Sequence, residues 1–204
     1  MLRAILTVLL AFFCFALALP PLMVGLIERE ATPMSCANFD PSTARVWLSL
    51  DSCRLSWKEA GFARVGSTVT EVYVPLRATH QGDMREPIAL VLASRRPAFL
   101  ALGEALYAAQ EGEGRLEGVL DTHQQLMDAS ETYSGLTRPR HALSSHEEAI
   151  IGALPSSHSP QLLVMDDAST PDLMSGVTFA LAGFALLALA ALQLRRSPRI
   201  RPPD

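Results

Sequence analysis

Residues Met174–Leu194 read MSGVTFALAGFALLALAALQL, and arginines follow at 195, 196, 199 and 201. The stretch carries no charge, and Gln193 is its one amide. An α-helix needs roughly 20 apolar residues to cross about 30 Å of hydrocarbon, so the spacing predicts a membrane span over 174–194. Thr170 as N-cap, Pro171 in the first helical position and Asp172 against the positive end of the helix dipole supply a start signal. Arginines clustered directly after an apolar span form a stop-transfer signal, and the positive-inside rule assigns Arg195, Arg196, Arg199 and Arg201 to the cytoplasm.

A second apolar run, AILTVLLAFFCFALALPPLMVGLI, extends from Ala4 to Ile27. Arg3 ahead of it places the N-terminus on the cytoplasmic side as well. Pro20 and Pro21 are expected to kink or stop the helix and leave Leu22–Ile27 as an interfacial extension. The same residues satisfy a cleavable signal peptide, with Arg3 as its basic region, Leu2–Phe15 as its apolar core and Ala16-Leu17-Ala18 as a small-x-small site. The apolar run continues past that site, which favours an uncleaved signal anchor. The expected organisation is therefore a transmembrane helix over 1–27, an extracytoplasmic domain over 28–173, a transmembrane helix over 174–194 and a basic cytoplasmic tail over 195–204. Small residues at Gly176, Ala180, Gly183 and Ala190 suit close packing against the first helix or a partner helix, with Gly176 and Ala180 in small-xxx-small spacing.

The whole chain has 204 residues, 49% hydrophobic and 19% charged, with a mean hydropathy of +0.22. Twelve glycines and 3 cysteines exclude collagen-like and disulfide-dense classes. Setting aside Arg3, the tail arginines and Asp204 from 17 basic and 21 acidic side chains leaves 12 and 20 for the middle region, a charge of −8. An acidic domain of that kind repels nucleic acid, so none is expected as a partner. The arginine excess over the single lysine, Lys58, reads as a GC-rich bacterial genome.

Cys36 and Cys53 fall in a compartment predicted to be oxidising, where a disulfide is the natural reading. Alternation of apolar and polar residues predicts strands over 44–50 and 53–57, joined at Asp51-Ser52, and over 69–76 and 88–93, joined by a polar loop from His80 to Pro87. Together they read as an antiparallel meander, with Pro75 marking an edge or an end. Pro97 opens a helix whose Phe99, Leu102 and Leu106 share a face, and Glu111-Gly112-Glu113-Gly114 closes it. An extended segment is expected over 115–120 and a short helix over 122–129. Ser144 and Glu147 form a capping box before a helix that Pro155 stops, and Gln161–Met165 is a last strand. The fold class is α+β: a mostly antiparallel sheet of about five or six strands, able to curl into a small open barrel, with two or three helices, flanked by the N- and C-terminal transmembrane helices.

Catalytic templates are absent from the sequence: no G-x-S-x-G, no H-E-x-x-H, no phosphate-binding glycine loop and no Ser-x-x-Lys. Ser56 and Lys58 would share a face on a strand, but a solvated lysine explains Lys58. His141, His146 and Glu147, with Glu148, His123 and His158 nearby, are the candidates for a divalent metal, although their spacing matches no metal template. Asp166-Asp167 are expected to serve the following helix dipole. Trp47, Trp57, Phe62 and Tyr73 fall mostly on strands and read as core. Val74–Arg77 and Arg95-Arg96 read as a solvated loop, with a local anion-binding edge as the alternative. Among the segments in this order, helix, strand-rich domain, helix, the layout resembles the Surfeit-family oxidase assembly factors, which handle haem in the membrane; the Arg-Gly-Trp segment of that family is missing, and no residue carries over.

These features lead to a two-span inner-membrane protein whose partners are the bilayer and other membrane proteins or a second copy of itself. Its extracytoplasmic domain is expected to be a non-catalytic scaffold or assembly factor that needs no cofactor. The alternatives are a small-ligand-binding or sensing module, and a metal-dependent enzyme using His141, His146 and Glu147.

Overall fold

A computed structural model describes residues 2–27, 30–43, 45–78, 87–111, 116–124 and 132–196. The chain divides into two compact units: one joins Met1–Arg29 to Pro171–Asp204, and the other is Glu30–Thr170.

The first unit contains α1 (Leu2–Ile27) and a last helix, Leu173–Arg196, packed against each other in antiparallel sense. Both are long and apolar enough to cross a membrane. Their contact face is a heptad series of small residues. Ala4, Ala11, Ala18 and Gly25 recur on α1, while Gly176, Gly183 and Ala190 recur on the partner. The alanines and the last helix's two glycines are buried. Large side chains fill the space the glycines leave. A Cβ at Gly176 would stand 2.9 Å from Leu22, one at Gly183 2.9 Å from Phe15, and one at Gly25 would overlap Leu173. Phe15 also meets Phe184 edge-on at 5.0 Å. Gly176 keeps its expected packing role, but the repeat runs on to Gly183 and Ala190, and Ala180 is only half-buried. The prolines do not stop α1, which continues through Pro20 and Pro21 to Ile27. Beyond them Leu22 and Gly25 still pack on the opposite helix, and such packing compensates for lost helix hydrogen bonds.

The second unit is an α+β domain with a curled mixed sheet. Its strands are β1 (Thr32–Ser35), β2 (Trp47–Asp51), β3 (Cys53–Leu55), β4 (Gly61–Val65), β5 (Thr68–Ala78), β6 (Ile88–Ser94), β7 (Tyr133–Pro139) and β8 (His158–Asp167). Its helices are α2 (Pro97–Glu111), α3 (Leu116–Thr122) and α4 (Ser145–Gly152); the last helix of the chain is α5. The strand order is β1-β2-β7-β8-β6-β5-β3, with β4 also paired to β5. The sheet is larger than the sequence predicts and less antiparallel, because β1 lies parallel to β2 and β6 parallel to β8. β2 and β3 are not a hairpin. Ser52, with φ 54°, turns a corner between them, so β2 pairs with β1 and β7 while β3 pairs with β5 at the far edge. β4 joins β5 across Gly66, whose φ of 64° suits a two-residue hairpin loop.

Pro75 sits inside β5, not at its end. Its carbonyl accepts from Ser56 N at 2.9 Å, so its missing N–H faces the place where the turn Trp57–Glu59 interrupts the ladder. No ladder bond is lost there. Of the segment expected to be extended over 115–120, the described residues 116–120 belong to the helix α3 instead. The expected loop over 80–86, the helix stop at 112–114 and most of the helix over 122–129 lie outside the described residues.

The concave face holds the main core. Val72, Val74 and Leu76 of β5, Leu90 and Leu92 of β6, Leu48 and Leu50 of β2 and Met165 of β8 surround Phe99, Leu102 and Leu106 of α2. Trp57 and Phe99 meet edge-on at 5.2 Å. Each such buried side chain stabilises by about 1.5–3 kcal/mol. The alternate residues Tyr73, Val91, Ala93, Leu162 and Val164 face outward into a smaller core closed by Ile151 and Leu154 at the end of α4. Gly61 makes room for that helix, since a Cβ there would crowd Ile150 and Leu154.

Gly135 is the tightest backbone approach in the sheet: a Cβ would overlap the Asp166 carbonyl. Replacing Gly135 with Ala is expected to destabilise the domain by about 3 kcal/mol, the upper range for overpacking. Denaturant unfolding of the detergent-solubilised chain checks this, and a change below about 0.5 kcal/mol would contradict it.

Candidate functional site

Above the smaller core, the outward face of the sheet opens into a polar cleft of about 800 Å³. The floor is shallow because Ala63 and Ala93 leave it unfilled beside Tyr73. The walls carry Glu71, Arg95, Arg138, Glu147, Asp166 and, at the rim, His146.

Strand periodicity explains this assembly. On β8, Asp166 and Asp167 point to opposite faces. Asp166 receives Arg138 from β7, with Nε and Nη2 both at 2.7 Å. The same guanidinium donates through Nη2 to Glu147 Oε1 at 2.8 Å. Glu147 Oε2 accepts from Ser144 N at 2.8 Å, and Ser144 Oγ accepts from Glu147 N at 3.2 Å, completing the expected capping box. Arg138 therefore ties the start of α4 to two strands. Asp167 is buried and accepts from Ser94 Oγ at 2.6 Å and Arg96 Nη2 at 2.7 Å. Each of the two aspartates is thus engaged by its own arginine. Ser169 Oγ donates to Asp166 O at 2.5 Å and accepts from Leu136 N at 2.8 Å, which fixes the end of β8.

On the opposite wall Glu71 accepts from Arg95 Nε at 3.0 Å, Arg95 Nη2 at 3.4 Å and Tyr73 OH at 2.9 Å. Burial, reinforced by the Glu71 carboxylate, pushes the Tyr73 phenol well above its ordinary range. Arg138, opposed by burial and helped by the Ser144 backbone and side chain, holds the Glu147 carboxyl down at about 2.

A second buried carboxylate lies outside the cleft. Glu59, in the turn Trp57–Glu59, accepts from Arg77 Nε and Nη2 at 3.1 Å each and from Ser156 Oγ. Burial raises its pKa, but the hydrogen bonds from Arg77, Ser156 and Ser56 outweigh it and leave the net shift downward. The arginines that could have formed an anion-binding edge are divided among three carboxylates: Arg77 on Glu59, Arg95 on Glu71 and Arg96 on Asp167.

The metal candidates are not gathered. Glu147 is held by Arg138, His146 stands on the rim, and His141 lies in the turn Arg140–Ala142. Among the described residues no three His, Cys, Asp or Glu side chains come together as a metal would need. Lys58 is exposed in the turn after Ser56, so the two do not share a strand face. Trp57 and Tyr73 are buried, while Trp47 and Phe62 are half-buried. Cys36 and Cys53 form a disulfide, their Cα atoms 5.2 Å apart. Sequence reasoning missed Glu71, Arg138 and Glu59. Glu71 and Arg138 each interrupt an apolar or β-rich run, and an ionisable residue inside a strand was the available signal.

Comparison with protein-family models, curated proteins and solved structures finds no match to this chain.

The depressed pKa of Glu147 carries a definite pH dependence. A carboxylate whose folded value lies below its ordinary 4.5 stabilises the fold above about 4.5, and that contribution is lost as the pH falls toward about 2. The Glu147→Gln variant is expected to lose less stability over this window than the parent chain. Denaturation midpoints measured over a window of about three units, from pH 5 to pH 2, check this; parallel curves would contradict it.

Proposed function

We propose that this chain is a two-span membrane protein whose central domain lies outside the cytoplasm and acts as a non-catalytic accessory or scaffold unit of a membrane complex. The observation that carries the membrane reading is the α1–α5 hairpin. Its small-residue seam is buried, while Leu6, Phe12 and Phe13 of α1 and Leu181 and Phe184 of α5 stay exposed around it. Without lipid or partner helices, such apolar surface would face water.

Charge supports the orientation. The antiparallel hairpin brings the Arg3 end of α1 and the Arg196 end of α5 to the same side, as the positive-inside rule requires of both cytoplasmic ends. Arg199 and Arg201 lie outside the described residues. The Cys36–Cys53 disulfide suits an oxidising compartment. In the cleft, Glu71, Glu147 and Asp166 are each engaged by an arginine of the same domain, an arrangement that suits a structural role.

Val65 is 73% exposed at the β4–β5 hairpin and offers a reporter position. A Val65→Cys variant in intact cells is expected to react with a membrane-impermeant maleimide added outside the inner membrane. Labelling only when the reagent enters the cytoplasm would overturn the orientation. A photo-crosslinking residue at the same position is expected to yield adducts with another membrane protein or a second copy. Recovery of the uncrosslinked monomer alone would overturn the accessory role.

A further inference from the structure

The ion pairs of the polar cleft leave part of its arginine donors unengaged. On Glu71, Glu147 and Asp166 every carboxylate oxygen already accepts a hydrogen bond. The arginine donors are only partly engaged. A guanidinium has five N–H donors arranged as a side-on fork and an end-on fork. Arg95 gives its side-on fork, Nε and Nη2, to Glu71, leaving the end-on fork of Nη1 and the outer Nη2 hydrogen unused. Arg138 gives Nε and both Nη2 hydrogens to Asp166 and Glu147, leaving Nη1 unused. The His146 ring stands on the rim. The cleft thus keeps unengaged guanidinium donors on both walls, next to carboxylate oxygens that each already accept at least one hydrogen bond.

We propose that this cleft binds a small carboxylate, held end-on by the Arg95 guanidinium with Arg138 Nη1 as a second donor. The end-on fork matches two carboxylate oxygens in a planar bidentate pair, which an ammonium cannot reproduce. Arg95 is 76% exposed on its side chain, but it is not a free surface arginine, because Glu71 holds one edge of it and the buried Tyr73 hydroxyl holds Glu71. Glu71 is thus a positioning residue: it aims the guanidinium and leaves the other edge open. The shallow Ala63 and Ala93 floor leaves the volume, and about 800 Å³ falls within the range of small-molecule sites. The lining carries three arginines, Arg64, Arg95 and Arg138, against four carboxylates, so binding depends on the fork geometry and not on bulk attraction, and a neutral amide of the same shape is a poor substitute. This inference stands independently of the membrane orientation and of the accessory role.

The test uses the full chain in detergent, with isothermal titration of succinate, succinamide and inorganic phosphate at low ionic strength. Saturable succinate binding is expected, at least about tenfold tighter than succinamide or phosphate. Arg95→Gln and Arg95→Lys are both expected to weaken it by about tenfold or more, since lysine keeps the charge and loses the fork. Arg54→Gln, at an exposed position on β3 away from the cleft, is expected to leave it unchanged. The proposal is overturned by no saturable succinate binding, by equal binding of succinamide or phosphate, by full retention in Arg95→Gln, or by rescue in Arg95→Lys.

Discussion

A sheet has two edges, and each exposes a row of unpaired backbone donors and acceptors. In this domain β1 and β3 stand at opposite ends of the strand order, yet Cys36 directly follows β1 and Cys53 opens β3. The disulfide therefore joins the two ends of the sheet. It does so beside the Ser52 corner, where one bent strand leaves β2 on one side of the curl and enters β3 on the other. Once the sheet is held in that curl, its concave face wraps α2 and its convex face is left for a second, smaller use. The main core, the cleft and the placement of α4 all follow from it.

The convex face shows how little apolar cover is needed after the concave face is filled. α4 covers only part of it, through Ile151 and Leu154. The remainder carries arginine and carboxylate pairs, anchored by residues that the strand period sends outward. Partly exposed pairs of this kind contribute little to net stability individually. Their value is geometric: Arg138 holds β7, β8 and α4 in one arrangement, and removing a single partner leaves the others uncompensated.

The two helices and the capping box at Ser144 were legible from local signals, as was the apolar face Phe99, Leu102 and Leu106, because each depends on residues within a few turns of one another. The pairing of β2 and β3 was not. Asp51-Ser52 has the composition of a hairpin turn, and only the distant partners β7 and β5 decide that it is a corner. Pro75 misled for a related reason: whether a proline costs a ladder bond depends on where the neighbouring strand breaks, and Ser56 lies far away in sequence. Hydropathy also hid the cleft. Glu71 and Arg138 look like ordinary solvated residues until the register brings β7 beside β8 and α4 over the sheet. In the helix hairpin the reverse holds, since the heptad of Ala4, Ala11, Ala18 and Gly25 is plain in the sequence once its counterpart Gly176, Gly183 and Ala190 is set against it.

The central claim is that the Cys36–Cys53 bridge holds the curled sheet closed at its edges, and amide hydrogen exchange of the full chain in the oxidised and reduced forms tests it most directly. Reduction is expected to destabilise the domain by about 3 kcal/mol, the scale for a loop of this size, with exchange accelerating first in β1, β3 and the turn Trp57–Glu59 while β6 and β8 at the centre stay protected. Unchanged exchange at β1 and β3 after complete reduction would contradict the account.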